Sequence, residues 1–116
     1  MAIVGVEDII ELLKMGADPE IFGDWTYMCE DIVKCNRKDA FYLIKKFRKS
    51  MDCPDYVDVL ECAIRDGNCN YVSEIFKRCD EKDVREMLMA QQYVYPLTVF
   101  YKYTKRWDLC RDAVLK

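Results

Sequence analysis

Apolar side chains recur along this chain at the three- and four-residue spacing of helices that bury one face. The stretch from Asp58 to Cys79 shows the pattern most clearly, because the sequence Asp-Gly-Asn at 66–68 separates two such faces. Glycine adopts a positive φ at little cost, so Gly67 is predicted to lie in a tight turn between two helices. Helices this short are marginal alone and need neighbours to cover their apolar faces.

The same apolar face returns along the whole chain. Four equivalent positions, 34, 32 and 38 residues apart, are Val6, Ala40, Val72 and Cys110. A second set with the same spacings is Ile9, Leu43, Ile75 and Ala113. The pattern predicts one domain, 1–116, of repeated helical pairs with units at about 1–25, 26–57, 58–94 and 95–116. Ile75, at the centre of the recurring face, is predicted to touch both neighbouring units.

The long third interval contains one further apolar face. Val84, Met87 and Leu88 are helically spaced and follow Asp80, a residue type that caps helix N-termini. We interpret the stretch 80–92 as an extra short helix that covers an edge of the stack. A role of this helix in binding is the alternative.

Part of the first unit resembles a known repeat family. The sequence Met-Gly-Ala-Asp-Pro at 15–19 resembles the loop after the second helix of an ankyrin repeat, and Pro96-Leu97 is similar to the start of such a repeat. Ankyrin repeats run about 33 residues, close to the spacings above. The resemblance implies an all-α fold, a short helical solenoid of about three and a half ankyrin-like helix-turn-helix repeats. The family's Thr-Pro-Leu-His motif does not occur in this chain.

The resemblance also implies a function. In ankyrin proteins the concave face, made of loop tips and first helices, is the usual binding surface. We therefore expect a non-catalytic protein–protein interaction module whose partner is another protein. The partner-binding residues that the resemblance implies are Glu20, Phe22, Trp25, Tyr27, Glu30, Asp55, Tyr56, Glu61, Arg65, Tyr93 and Tyr95. The alternative is a compact α-helical regulator that acts as a homodimer or sequesters a host or cellular factor.

Charge alternates in blocks along the chain. The net charge is −7 for residues 1–31, +6 for 32–50, −5 for 51–100 and +3 for 101–116, which together make the overall −3. The overall negative charge argues against general nucleic-acid binding. We interpret the blocks as opposite charges on stacked helices that neutralise each other. The alternative is a basic patch that meets an acidic partner, formed by Arg37, Lys38, Lys45, Lys46, Arg48 and Lys49.

Residue types that most enzymes need are missing from the sequence. The chain has no histidine and no glycine-rich phosphate loop, so we predict neither catalysis nor a bound cofactor. Its 7 cysteines, irregularly spaced and without a Cys-x-x-Cys pair, are not typical of a zinc site. We interpret them as reduced core residues of an intracellular protein, cytoplasmic or nuclear. A cysteine-based metal or redox protein is the remaining alternative.

The two ends of the chain carry different signals. The apolar stretch at the start stops at Glu7 and Asp8, so no signal peptide is expected. No apolar run approaches the roughly 18 residues of a membrane span, so no membrane partner is expected either. In the stretch 107–116, Trp107 and Leu109 fall among charged residues, and this end is predicted to be poorly covered. Any self-association is therefore expected to form a homodimer through the C-terminal end.

Overall fold

A computed structural model describes residues 6–18, 25–47 and 53–116 of the 116-residue chain. The described residues form helices and no β-strand, which confirms the all-α prediction. The helices are α1 (Val6–Lys14), α2 (Trp25–Lys34), α3 (Lys38–Phe47), α4 (Cys53–Asp66), α5 (Val72–Phe76), α6 (Glu81–Met89), α7 (Val94–Thr104) and α8 (Trp107–Leu115). Each predicted apolar face lies in one of these helices, although α5 ends before the last residue of the face predicted for it. None of the helices in these segments is long and apolar enough to cross a membrane.

The predicted turn and cap residues adopt the backbone conformations expected of them. Gly67 (φ 75°), the predicted turn residue, follows α4 and has the positive φ that allows a helix to stop; Asn36 (φ 56°) does the same after α2. Between these two turns, the Asn70 N–H donates to Asn36 Oδ1 at 2.9 Å. The N-terminus of α6 is capped as predicted, because the Lys82 N–H donates to Asp80 Oδ1 at 2.9 Å.

The helices pack in two layers. The front layer consists of α2, α4, α6 and α8, and the back layer consists of α1, α3, α5 and α7. Two bonds join equivalent ends of neighbouring helices within a layer. Lys38 Nζ, at the start of α3, lies 2.7 Å from Glu74 Oε1 in the first turn of α5. Lys116 Nζ, just after α8, donates to the Gln91 carbonyl just after α6 at 2.7 Å.

The contacts between helices bear on the predicted units. α2 packs on α3, α4 packs on α5 and α7 packs on α8, whereas α6 packs on α4 and α8. Front-layer helices begin 28, 28 and 26 residues apart, which is less than the roughly 33 of ankyrin repeats. The predicted unit boundaries stay a prediction.

The core lies between the two layers. The recurring apolar positions are buried wherever their side chains are described: Ile9, Ala40, Val72, Ile75, Cys110 and Ala113. Aromatic rings join consecutive back-layer helices, because Phe41 packs on Tyr71 just before α5, with ring centroids 5.7 Å apart. Phe76 of α5 then meets Phe100 of α7 edge-on at 5.3 Å. The short helix that carries Ile75 thus contacts the back layer on both sides.

α8 corrects one prediction from the sequence. Leu109 is 2% exposed, because α8 packs against α6 and α7 and turns this side chain into the core. The prediction that Leu109 is poorly covered is therefore wrong. Trp107, two residues earlier, is 46% exposed, as the sequence predicts.

Candidate protein-binding groove

A groove of about 440 Å³ lies where the C-terminal end of α4 meets the junction between α6 and α7. Its volume is in the range of roughly 300–1,000 Å³ that is usual for ligand sites. The residues that line it are Arg65, Ala90, Gln91, Gln92, Tyr93, Tyr95 and Pro96. The groove therefore combines one charged side chain with amides and aromatic rings.

The local sequence explains the shape of the junction. α6 ends at Met89 and α7 begins at Val94, so the residues 90–93 connect the two helices. Tyr93 is extended (φ −123°, ψ 152°) and stands immediately before α7. Pro96 lies in the first turn of α7, where its missing N–H costs no helical hydrogen bond. The same first turn carries Tyr95, so both tyrosines stand at the start of one helix.

Gly67 makes room for the Tyr95 ring. A Cβ atom added to Gly67 would lie 1.9 Å from the Tyr95 hydroxyl oxygen, which is far inside any real contact distance. The missing side chain therefore allows the phenol to lie over the turn that follows α4. Tyr95 remains 57% exposed, and Tyr93 is 75% exposed. Both rings are thus accessible to a molecule that enters the groove.

Gln91 connects the groove to α4. Gln91 is polar and yet buried: only 2% of its surface is exposed, and no other polar residue whose burial is described is buried to this extent. Its Nε2 donates to Glu61 Oε2 at 2.6 Å and to the Met87 carbonyl at 3.0 Å. Its Oε1 accepts from Arg65 Nε at 3.1 Å, and Arg65 Nη2 lies 3.3 Å from Glu61. The guanidinium of Arg65 is therefore held in place by two partners.

The charges around the groove are nearly balanced. Among the lining residues Arg65 alone is charged, and Glu61 pairs with it. One turn earlier on α4, partial burial and the Glu61 carboxylate raise the pKa of Asp58. The groove therefore offers hydrogen-bond donors and aromatic rings rather than a strong electric field.

The structure brings several of the predicted partner-binding residues together. Those at or beside the groove are Glu61, Arg65, Tyr93 and Tyr95. Tyr56 does not belong with them, because it is buried and its ring packs edge-on against Phe41 at a centroid distance of 6.4 Å. Tyr56 is therefore a core residue, and its ring is not available to a partner.

The remaining predicted residues lie away from the groove or outside the described part. Glu30 is half-buried on α2, where its carbonyl oxygen is 4.0 Å from the Cys62 thiol that donates to it. Three others lie in α2 and α4 at positions where only the backbone is described: Trp25, Tyr27 and Asp55. Two lie outside the described residues: Glu20 and Phe22.

Gln91 is absent from the predicted site residues. This residue continues the apolar face of α6, four positions after Met87 and three after Leu88. An amide on such a face needs hydrogen-bond partners once it is buried. A polar residue on an apolar helix face was therefore the feature of the sequence that could have identified this position. Its partners Glu61 and Arg65 stand 30 and 26 residues away, so the sequence alone does not identify them.

The predicted basic patch is neutralised where its side chains are described. Arg37 pairs with Glu7 of α1 and also with Asp39 at 2.9 Å, and its guanidinium lowers the pKa of Asp39 to about 2. Lys38 pairs with Glu74 of α5. These bonds join neighbouring back-layer helices, in line with the neutralisation that the charge blocks indicate. The other patch residues lie beyond the described side chains: Lys45, Lys46, Arg48 and Lys49.

The described cysteines have the properties of structural thiols. Six of them are not in a disulfide: Cys29, Cys35, Cys62, Cys69, Cys79 and Cys110. Burial raises the pKa of Cys62 and of Cys69 to about 11, so both stay protonated at neutral pH. Within the described segments, no three histidine, cysteine, aspartate or glutamate side chains are grouped so as to hold a metal ion.

Comparison with known proteins finds no relative of this chain. No family model matches it, and no curated protein or solved structure is significantly similar to it. The ankyrin resemblance therefore rests on the sequence motif alone. The function has to be argued from the groove and from the packing of the helices.

Gln91→Met is expected to destabilise the protein by about 1–3 kcal/mol, because methionine fills similar space but leaves Glu61 and Arg65 without their buried partner. The loss can be measured from the midpoint of urea unfolding. Gln92→Met, at the exposed neighbouring position, is the matched control and should change stability by less than about 0.5 kcal/mol. Equal effects of the two substitutions would show that Gln91 does not hold this site together.

Proposed function

We propose that this protein is a non-catalytic interaction module that binds a segment of another protein in the groove between α4 and the α6–α7 junction. The observation that carries the proposal is an open cavity of about 440 Å³ beside two exposed tyrosine rings and a fixed arginine. A cavity of this size accommodates a few side chains of a bound peptide.

Tyr93 and Tyr95 are the groups expected to contribute most of the binding energy. Tyrosine combines a large apolar ring with a hydroxyl group, and little conformational entropy is lost when so stiff a side chain is ordered. Arg65 is already held by Gln91 and Glu61, so it also loses little freedom when a partner arrives. The three side chains therefore form a surface that is largely organised before binding.

We further propose that the two layers are an ankyrin-like solenoid, in a divergent form with shorter units. The contacts between equivalent ends of neighbouring helices, the 28-, 28- and 26-residue spacing and the overall extents of 48 × 24 × 23 Å support this proposal. Glu30 and the groove residue Arg65 both belong to front-layer helices that contact each other. A longer partner would then extend from the groove across α4 towards α2.

The rival function is a compact helical regulator that self-associates or sequesters one factor. The observation that favours it is the exposure of apolar side chains at the two ends of the helix stack, which the groove does not use. A reducing compartment, the cytoplasm or the nucleus, suits either function, because the described cysteines are free thiols.

A peptide-display selection tests the groove. The full chain is immobilised, a library of short protein segments is applied, and the affinities of enriched segments are measured by fluorescence polarisation. Tyr93→Ala and Tyr95→Ala are each expected to weaken binding about tenfold or more, because truncation of an anchor residue costs more than about 1 kcal/mol.

The matched control is Tyr42→Ala, which removes an exposed tyrosine from α3 in the back layer. It should leave the affinities unchanged. The proposal is wrong if no segment is enriched, or if Tyr42→Ala weakens binding as much as the two groove substitutions do.

A further inference from the structure

Several hydrogen-bond donors of the groove meet no acceptor in the described part of the chain. The guanidinium of Arg65 carries N–H groups on Nε, Nη1 and Nη2. Its Nε donates to Gln91 Oε1 and its Nη2 lies beside Glu61, and neither partner engages Nη1. The hydroxyl groups of Tyr93 and Tyr95 make no hydrogen bond to a described residue either, and both rings are largely exposed. These donors are therefore available to a ligand.

Some of the acceptors beside these donors are already occupied. Gln91 Oε1 accepts from Arg65, and Glu61 Oε2 accepts from the Gln91 amide. The backbone carbonyl of Gln91 accepts from Lys116 Nζ at 2.7 Å. Gln92 is exposed and carries both a donor and an acceptor, so it does not change the balance. A ligand of this groove therefore has to bring acceptors rather than donors.

The charges beside the groove argue against a carboxylate as that acceptor. Glu61 Oε2 lies 3.3 Å from Arg65 Nη2 and balances the charge of the guanidinium. Asp58 lies one turn earlier on the same helix. A carboxylate of the ligand would approach both acids, and like charges at close range repel each other. Neutral acceptors such as backbone carbonyls reach the available donors without this cost.

The conformation of the ligand follows from the state of its carbonyl groups. The carbonyls of a helical ligand are bonded within the helix. An extended ligand strand needs the edge of a sheet, and the described segments contain no strand. In a polyproline II helix, by contrast, the carbonyls make no internal hydrogen bond and face the surroundings. Proline also lacks an N–H group, so a proline-rich segment brings acceptors with few donors.

We infer that the groove binds a proline-rich segment of the partner protein in the polyproline II conformation. The inference rests on the function proposed above and adds the chemistry of the bound segment. Its proline rings pack on Tyr93 and Tyr95, as they do in other aromatic-lined grooves. Its carbonyls accept from the two hydroxyl groups and from Arg65 Nη1. Because this helix has about three residues per turn, the prolines that face the groove are expected at every third position.

Three pools of random peptides, each about ten residues long, test the inference. The first pool has proline at every third position, the second contains no proline, and the third has aspartate or glutamate in place of those prolines. Each pool is applied to the immobilised full chain, and the retained peptides are quantified by mass spectrometry. The proline pool should be retained at least about tenfold better than either of the others, the ratio that about 1.4 kcal/mol of binding free energy produces.

Substitutions separate the role of the rings from that of the hydroxyl groups. Tyr93→Ala and Tyr95→Ala remove both, and each should weaken the binding of a retained proline peptide about tenfold or more in fluorescence polarisation. Tyr93→Phe and Tyr95→Phe remove only the donor, and each should weaken binding about two- to tenfold. Tyr42→Phe, on α3 in the back layer, is the matched control and should change nothing. Circular dichroism checks that the helicity of each variant is unchanged.

Other outcomes overturn the inference, and some of them leave the proposed function intact. If the proline-free or the acidic pool is retained best and its binding requires Tyr93 and Tyr95, the groove binds proteins but not through proline. If both phenylalanine variants bind like wild type, the hydroxyl groups do not bind the carbonyls. If the alanine variants retain the proline pool, proline binds elsewhere. If no pool is retained, the inference is wrong, and the display selection decides whether the groove binds protein segments at all.

Discussion

Ile75→Asp is expected to prevent folding. Ile75 is fully buried in α5, the five-residue helix Val72–Phe76 that packs between α4 and α7. A carboxylate placed there would lose its hydration without gaining a partner, at a cost of several kcal/mol. Domains of this size are stable by only about 5–15 kcal/mol, so the loss removes most of the stability.

A graded series separates burial from charge at this position. Ile75→Val should cost about 0.5–1.5 kcal/mol and Ile75→Ala about 2–5 kcal/mol, according to the size of the cavity that remains. Far-ultraviolet circular dichroism and urea unfolding measure all three variants. Lys77→Asp, just after α5 and exposed, is the control and should fold normally. A folded Ile75→Asp variant would mean that α5 does not pack as described.

Gly67→Val is expected to lower the stability by about 1–3 kcal/mol, because a β-branched residue is strained at positive φ. Gly67 has φ 75°, and its new Cβ would also collide with the Tyr95 hydroxyl group. The Tyr95 ring is largely exposed and can swing away, so most of the loss should come from the backbone. The displaced ring should nevertheless change the groove.

Gly16→Val is the matched control for this backbone effect. Gly16 also has a positive φ, 95°, but a Cβ added there meets no atom within 4 Å. Both substitutions should therefore reduce the stability in thermal unfolding, whereas only Gly67→Val should alter the near-ultraviolet signal of a tyrosine. Adding Tyr95→Ala should remove the spectral difference and leave the backbone cost. Unchanged stability of Gly67→Val would show that this turn has an ordinary negative φ.

The helices and turns could be predicted because their signals lie within a few residues of one another. The 3.6-residue period identifies each apolar face, and Gly67 and Asp80 mark helix ends through their own backbone and side-chain preferences. The assignment of helices to layers depends on contacts between distant residues. Cys110 fits a buried stripe of either layer, so residue spacing alone does not assign α8 to one of them.

The candidate site was predictable only in part for the same reason. Aromatic residues at a helix start indicate binding anchors, and Tyr93 and Tyr95 are indeed exposed beside the groove. Tyr56 carries the same signal in the sequence, yet the packing of α4 on its neighbours buries it. The role of Gln91 depends on partners from another helix, which no local pattern contains.

The hydrogen bond from Asn70 to Asn36 joins one turn of the stack to the next, and this has a consequence for cooperativity. In the proposed solenoid, each helical pair would be completed by contacts with the pair beside it, so formation of one pair would provide the surface on which the next one orders. In such a stack, folding and unfolding proceed from one helical pair to its neighbour rather than through contacts between distant ends of the chain. α4 touches α2, α5, α6 and α7, and it therefore belongs to the part of the stack that opens last.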